Sequence, residues 1–453
     1  MKSSNIKNMT EGRPGRLILA FAIPLMAGNI FQQLYTVVDT MVVGKFLGVQ
    51  ALAALGAADW LNWMMLGIIQ GLTQGFAIKM AQEFGAEKYR LLKKVIGNSG
   101  IMAAFFSLVL TLGGQFLAKP VLLILHTPGE ILPDTLLYIR IMFMGIPVVM
   151  AYNLLACVLR SLGDSKTPLH AMVIASLTNI VLDVLFVYYF RWGIGGAAIA
   201  TLIAQMISSV YCYHHIRRID ILSLSRDDFR MDRGLSVRLV GLGLPMAFQN
   251  AVIAIGGMIV QMVVNGFGVI FIAGFTATNK LYGLLEIAAT SYGYSVVTYV
   301  GQNLGAKKWK RIRSGVNAAL VVAIITSVFI GIVMLATGKW ILGWFISGTP
   351  TQVEEAMRVA YFYLAVMSVS LPVLYVLHVL RSAIQGMGNT VLPMLSGIAE
   401  FFMRTMAVLF LPHVVGEVGI FFAEILAWFG ADVVLIVSYL VKIRALGRLE
   451  SET

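Results

Sequence analysis

Apolar residues run for 20 or more positions at a time along most of this chain, and polar residues gather in short stretches between the runs. A helix of about 20 apolar residues is long enough to cross the hydrocarbon layer of a bilayer. The pattern predicts twelve such helices, over 17–43, 51–78, 95–117, 134–159, 169–190, 195–215, 238–264, 270–299, 315–337, 356–380, 391–411 and 418–441. A membrane barrel would instead alternate apolar and polar residues over about ten positions, and an open sheet would leave its edges unsatisfied in lipid. The β-branched run "AALVVAIITSVFIGIV" would suit a strand in water, but its length argues for a lipid-facing helix. Pro24, Pro147, Pro245 and Pro372 fall inside the runs and are the expected kinks.

Composition agrees with an all-α integral membrane protein. Of 453 residues, 58% are hydrophobic and 12% charged, about half the charged share of a soluble domain. No soluble domain of any size is expected. The N-terminal apolar run continues past the length of a secretion signal and lacks a small-residue cleavage site, so it reads as a retained first span. Cys157 and Cys212 form no disulfide or metal pattern and read as small core residues.

The charges orient the spans. With the N-terminus inside, the inner segments collect 25 of the 34 Lys and Arg residues, from Lys2 and Lys7 through Arg217–Arg238 and Lys307–Arg313 to Arg381 and Arg448. The outer segments carry only Lys45, Lys119, Arg191 and Lys339. Both termini are therefore expected in the cytoplasm. The net charge of +12 sits in short loops, where topology and anionic lipid account for it; membrane lipid, not nucleic acid, is the expected partner.

The chain also repeats itself. "AIPLMAGNIFQQLYTVVDTMVVGKFLG" at 22–48 matches "GLPMAFQNAVIAIGGMIVQMVVNGFG" at 243–268, 221 positions on. "MAQEFGAEKYRLLKK" meets "YVGQNLGAKKWKRIR" 220 positions on, and "GDSKTP" at 163–168 meets "GNTVLP" at 388–393. Two six-helix halves follow, 1–215 and 238–453, joined by a basic cytoplasmic linker over 216–237. Six is even, so both halves enter from the same side and are expected to be related by a pseudo-two-fold axis along the membrane normal, with a cleft between them. That is a parallel-repeat arrangement found among alternating-access transporters.

Polar residues recur inside the runs. Asn29, Gln32 or Gln33, Tyr35 or Thr36, and Asp39 or Thr40 form a stripe on the first span. Ser176, Asn179 and Asp183 do the same on the fifth, at comparable depth. Two carboxylates facing one cavity repel when both are ionised. Such a pair can take a proton, or hold a sodium ion with Asn and Thr oxygens as hard ligands. Asp59 on the second span is a further candidate. The second half differs: Val260 and Val408 stand where the first has Asp39 and Asp183, and Glu286 and Glu400 lie mid-span elsewhere. Glu286, with Tyr282, Tyr292 and Tyr294 nearby, is the candidate contact for a cationic cargo; Glu400 has Arg404 one turn on, a spacing that allows a self-neutralising pair. Gln33, Tyr35, Gln249, Asn250 and Met258 complete the candidate cargo set, the methionine as an adaptable thioether.

The order and duplication of "PLMAGNIFQQLYTVVDTMVVGKFLG", "MAQEFGAEK", "VGQNLGAKK" and "VLRSLGDSKTP" in a twelve-span frame resemble the multidrug and toxic compound extrusion (MATE) family, closest to its bacterial MepA-like drug-efflux branch. The resemblance implies a V-shaped pair of six-helix bundles exporting organic cations in exchange for protons or sodium, and makes Asp39 a cation-coupling residue. Another branch of the family carries a Glu early in span seven; this chain reads "LPMAFQNAV" there, which argues against that branch's sodium site.

No enzyme is expected. None of the six histidines makes a zinc-binding H-E-x-x-H and no phosphate-binding Gly-x-x-x-x-Gly-Lys-Ser/Thr loop exists, so no cofactor is needed beyond a coupling H+ or Na+. The expectation is an antiporter for small organic cations, working as a monomer in a bacterial cytoplasmic membrane. A lipid-linked saccharide flippase and an uncoupled small-molecule carrier are the alternatives. A flippase would want a more cationic cleft than Arg140, Lys280 and Arg404 provide.

Overall fold

A computed structural model describes residues 5–346 and 349–451; Lys2, one of the charges used to orient the chain, lies outside them. The described residues form thirteen α-helices joined by short turns, with no strand among them. In order they are α1 (Pro14–Leu47), α2 (Val49–Gly85), α3 (Tyr89–Ile124), α4 (Leu132–Met144), α5 (Ile146–Ser161), α6 (Lys166–Asp183) and α7 (Gly193–Ile216). The remainder are α8 (Arg233–Val264), α9 (Val269–Gly305), α10 (Trp309–Leu342), α11 (Pro350–Gly386), α12 (Val391–Val415) and α13 (Ala423–Ser451).

Each predicted span finds a helix. Ten are long and apolar enough to cross a bilayer alone, and α4 with α5 makes an eleventh, bent by 48°. The eighth position belongs to α9, whose 37 residues include Lys280 and Glu286 and keep it short of that apolarity. The protein is thus an all-α, multi-pass membrane protein. Of the four expected kinks, only Pro147 coincides with a break: the bend falls at Gly145, between α4 and α5. Helix assignment runs through Pro24, Pro245 and Pro372.

α2 and α9 outrun the predicted spans at their C-terminal ends. α2 continues to Gly85 and α9 to Gly305, so residues 82–86 and 302–306 close the helices and lead into the basic turns that follow. The repeat is written into the backbone at these turns. Left-handed residues recur as Gly48 and Gly268 (φ 86° and 92°), Glu87 and Lys307 (φ 57° each), and Gly163 and Gly388 (φ 82° each). At Gly163 a side chain would also run into the carbonyl of Lys7, so glycine is required twice over.

The chain divides into two compact units: residues 1–8 with 23–248, and residues 9–22 with 249–453. These units do not coincide with the repeat halves, because the first turns of α1 and α8 are exchanged. In the second unit, the Ser295 hydroxyl donates to the Ile18 carbonyl at 3.1 Å. In the first unit, Gly71 and Gly75 of α2 lie against Gly243–Ala247 of α8, close enough that a Cβ on Gly71 would sit 2.5 Å from the Ala247 nitrogen. The exchange falls within a few residues of Pro24 and Pro245.

Each unit is built around the fourth span of its half. In the first, α5 packs on α2, α3 and α7; in the second, α11 packs on α9, α10 and α13. Lipid is as apolar as leucine, so contacts of this kind rely on close packing through small residues. α10 shows the principle: Gly315, Ala319, Ala323, Ser327, Gly331 and Gly338 face inward, while Val321, Ile325, Phe329 and Ile332 are exposed. Its β-branched run is helical, with bulk outward and small residues inward.

The loop after α7 is held against α3. Asn98 of α3 donates to the Arg230 carbonyl at 3.2 Å and accepts from the Asp232 nitrogen at 2.9 Å. A capping box at Ser225 and Asp228 closes its short 3-10 turn.

The α2–α8 contact has no room for a methyl group on α2. Gly75→Ala should cost about 1–3 kcal/mol through overpacking and lower the midpoint of thermal unfolding in detergent. Gly113→Ala in α3, where nothing lies within 4 Å of the added carbon, should leave the midpoint unchanged or raise it slightly through helix propensity.

Candidate functional site

The first unit concentrates buried acceptor oxygens. Asp39 on α1 and Asp183 at the end of α6 are 7% and 0% exposed, and Asn179, one turn before Asp183, is 1% exposed. One oxygen of Asp39, both of Asp183, the amide oxygen of Asn179 and that of Gln205 on α7 are buried without a hydrogen-bond partner among the described residues. Natural structures rarely leave so many buried acceptors unpaired in one place. Such a set suits a ligand that brings positive charge or donors: a proton or a small cation.

Local structure aims these groups. Ser176 donates to the Met172 carbonyl at 2.8 Å and reaches the Phe31 carbonyl at 3.2 Å, holding α6 against α1. The Asn179 amide nitrogen donates to the Thr201 hydroxyl at 3.4 Å, which leaves its oxygen for the interior. After Asp183 the chain widens into a π-helical turn, Val184–Tyr189. Its Phe190 nitrogen reaches back five residues to the Leu185 carbonyl at 2.9 Å. Such turns recur at functional sites, and here Phe186 stacks on Trp192 at 4.7 Å just beyond it. Beside Asn179 a narrow cavity is lined by Tyr35, Tyr152, Thr201, Gln205 and Ser208. It leaves about 10 Å³ for the centre of a water molecule, room for about one water or one ion of similar size.

The predicted residues separate into two groups. Asp39, Asp183, Asn179 and Tyr35 are brought together, Tyr35 lying within electrostatic reach of both carboxylates. Asp59 is exposed on α2 but within reach of Asp39. Thr36 is not part of the cluster: it is exposed, and its hydroxyl donates to the Gln32 carbonyl of its own helix at 3.0 Å. Gln33 is half-buried. Sequence reasoning passed over Thr201, Gln205 and Tyr138, the last a buried α4 residue within reach of Asp39, Asp59 and Asp183. The signal for the α7 pair was available: Thr201, Gln205, Ser208 and Ser209 fall at three- and four-residue steps along an apolar helix.

In the second unit the charges pair with one another. Glu400 is gripped by Arg381 at 2.8 Å and Arg404 at 2.9 Å, and Arg404 also holds Glu424 at 2.7 Å. The i,i+4 pairing of Glu400 with Arg404 is therefore present. Arg381, expected in an inner loop, is instead buried within α11, because that helix runs two turns past the apolar segment. Asp432 of α13, not singled out from sequence, is buried within reach of Arg381 and Glu400.

The candidate cargo contacts are spread along this unit. Glu286 of α9 is half-exposed and lies 3.5 Å from His378 Nε2 of α11. Tyr282 stacks on Trp428 with ring centroids 6.0 Å apart, whereas Tyr292 is buried with its hydroxyl 2.8 Å from that of Thr326. Gln249 is buried against Gly397 of α12, so it packs α8 on α12 rather than presenting an amide. Asn250 and Met258 are half-buried. Val260 and Val408, the counterparts of Asp39 and Asp183, are both buried.

The family profile MatE matches residues 24–185 and again 245–410. A probable multidrug resistance protein, YpnP of Bacillus subtilis (strain 168), is 29% identical over 79% of this chain and 80% of its own length. The multidrug export protein MepA of Staphylococcus saprophyticus is 22% identical over 88% of each chain. Among solved structures, an outward-facing multidrug resistance MATE family transporter of the MOP superfamily superposes with a TM-score of 0.90, at 20% identity, over 99% of this chain and all of that one.

The Arg404 contacts carry a stability test. Removing one partner of a buried ion pair leaves the other uncompensated, at a cost of about 3–5 kcal/mol. Arg404→Met should lower the thermal midpoint by many degrees, and adding Glu424→Gln should recover part of the loss. A midpoint unmoved by Arg404→Met would mean that the pairs bear no load.

Proposed function

We propose that this chain, which belongs to the MatE family of membrane transporters, is an antiporter that exports small organic cations in exchange for H+ or Na+. It is a transporter and not an enzyme. The observation that carries the coupling is the set of unpartnered buried oxygens on Asp39, Asp183, Asn179 and Gln205. An intramembrane carboxylate without a partner is costly, and it persists where a ligand supplies the missing positive charge for part of a cycle. Asp39 and Asp183 bind the coupling cation, Asn179 and Gln205 lend amide oxygens, and Asp59 adds to the local negative potential. The oxygen set accepts either ion: a proton needs one carboxylate, and sodium would use the hard oxygens together.

Export follows alternating access. Binding of the coupling cation from outside favours the state that releases cargo, and its departure inside favours the state that takes cargo up, each by differential affinity for the two states. Glu286 supplies the carboxylate for the cationic cargo, with Tyr282 beside it. The twelve spans act as two six-helix bundles, 1–215 and 238–453 with the linker 216–237, in the bacterial cytoplasmic membrane with both termini inside; a monomer suffices. The names of the relatives, multidrug resistance and multidrug export, support the cargo class. The flippase reading is disfavoured because Arg381 and Arg404 are each tied to carboxylates, which leaves little positive charge for a pyrophosphate.

Reconstituted in liposomes, the protein should drive ethidium efflux under an imposed proton or sodium gradient. Asp39→Asn should reduce that efflux to the level of protein-free liposomes. The gradient that works identifies the ion. Efflux indifferent to both gradients, with Asp39→Asn fully active, would sink the coupling mechanism.

A further inference from the structure

The Glu286–His378 contact has no role in the coupling scheme, and it differs from the arginine–carboxylate pairs of its unit. Glu400 and Glu424 are locked by arginines, which carry charge at all physiological pH values. Glu286 instead faces a histidine, the side chain type whose charge changes between about pH 5 and 8. The pair is also more open: the side chains of Glu286 and His378 are 32% and 16% exposed, against 5% for those of both Glu400 and Arg404.

We propose that His378 is an internal competitor for the cargo site, protonated His378 taking the Glu286 carboxylate and thereby displacing an organic cation from it. The inference rests on the reading of Glu286 as the cargo carboxylate. With His378 neutral, Glu286 keeps its charge for the cargo. With His378 protonated, the two close into an ion pair, and the cargo would have to share one carboxylate with an imidazolium 3.5 Å away. One negative charge cannot neutralise two cations at that separation. The binding site therefore favours cargo at the higher pH and releases it at the lower, which suits release into an acidified exterior.

The surrounding charges make this a two-partner contest. On α9, Tyr282 and Glu286 face the region; on α11, Tyr375 and Arg381 flank His378, and the Tyr375 hydroxyl is spent on the Leu285 carbonyl at 2.9 Å. Across from them stand Glu400 and Arg404 on α12 and Glu424 and Asp432 on α13. Glu400 lies within reach of His378, but its two oxygens are each held by an arginine. Asp432 keeps one buried oxygen without a hydrogen-bond partner among the described residues but faces Arg381 and Glu400, so Glu286, 3.5 Å from His378, is the carboxylate placed for either the imidazolium or the cargo.

The test is ethidium binding to the purified protein in detergent, followed by fluorescence anisotropy from about pH 5.5 to about pH 8.5. An Asp39→Asn background removes the coupling contribution. There, affinity should fall by about tenfold toward the acidic end, an ordinary size for coupled sites. His378→Gln should abolish that fall and retain the tight, high-pH affinity; His378→Asn checks that the result does not depend on one replacement. His378→Lys, a lasting cation, should bind ethidium weakly at every pH. Binding whose pH dependence survives both neutral replacements would overturn the competition and leave the cargo reading standing. No binding by the Asp39→Asn protein or the unaltered chain at any pH would overturn both.

Discussion

An ionised side chain that finds no partner inside a bilayer costs several kcal/mol, and the two units meet that cost in opposite ways. The second surrounds Glu400 with Arg381 and Arg404 and gives Glu424 to Arg404. Glu400, Glu424, Arg381 and Arg404 then neutralise one another, and the network ties α11, α12 and α13 together. The first leaves one oxygen of Asp39 and both of Asp183 without a hydrogen-bond partner among the described residues. A fold can retain such groups only if something arrives to neutralise them. The contrast separates a charge cluster that holds helices together from one that, on the proposed coupling role, is filled and emptied.

Duplication makes the contrast readable. The turns at Gly48 and Gly268, Glu87 and Lys307, and Gly163 and Gly388 keep the same left-handed backbone in both halves, so the scaffold has stayed fixed while the buried chemistry diverged. Val260 and Val408 fill the places of Asp39 and Asp183 with apolar side chains. Replacing a buried polar pair by packed apolar residues is often neutral or stabilising. The second half thus buries apolar side chains where the first half buries carboxylates.

Spans were legible because a bilayer demands long apolar helices, and the repeat because turn residues with positive φ tolerate few substitutes. What escaped reading had no apolar signature. Arg381 looked like a loop residue, since a charge ordinarily ends an apolar run; the helix continues because Glu400 compensates it across a gap of 19 residues that no local pattern reveals. Thr36 looked like a site residue from its spacing, yet its hydroxyl bonds its own helix, a local alternative always open to threonine. Gln205 and Thr201 were visible as a polar stripe but had no carboxylate to draw attention. The compact units, likewise, exchange the first turns of α1 and α8, which follows from contacts made far along the chain.

Glu286 and His378 lie between the two regimes. Their pair is neither locked, as Glu400 is, nor empty, as Asp183 is. An arginine in place of His378 would bind Glu286 permanently and close the site; an apolar residue would leave the carboxylate uncompensated whenever cargo is absent. On the proposed competition, histidine avoids both costs, because the proton that neutralises Glu286 in the absence of cargo can leave when cargo arrives. The residue type at position 378 is thus tied to the requirement that a carboxylate in a membrane be neutral on average and available in turn.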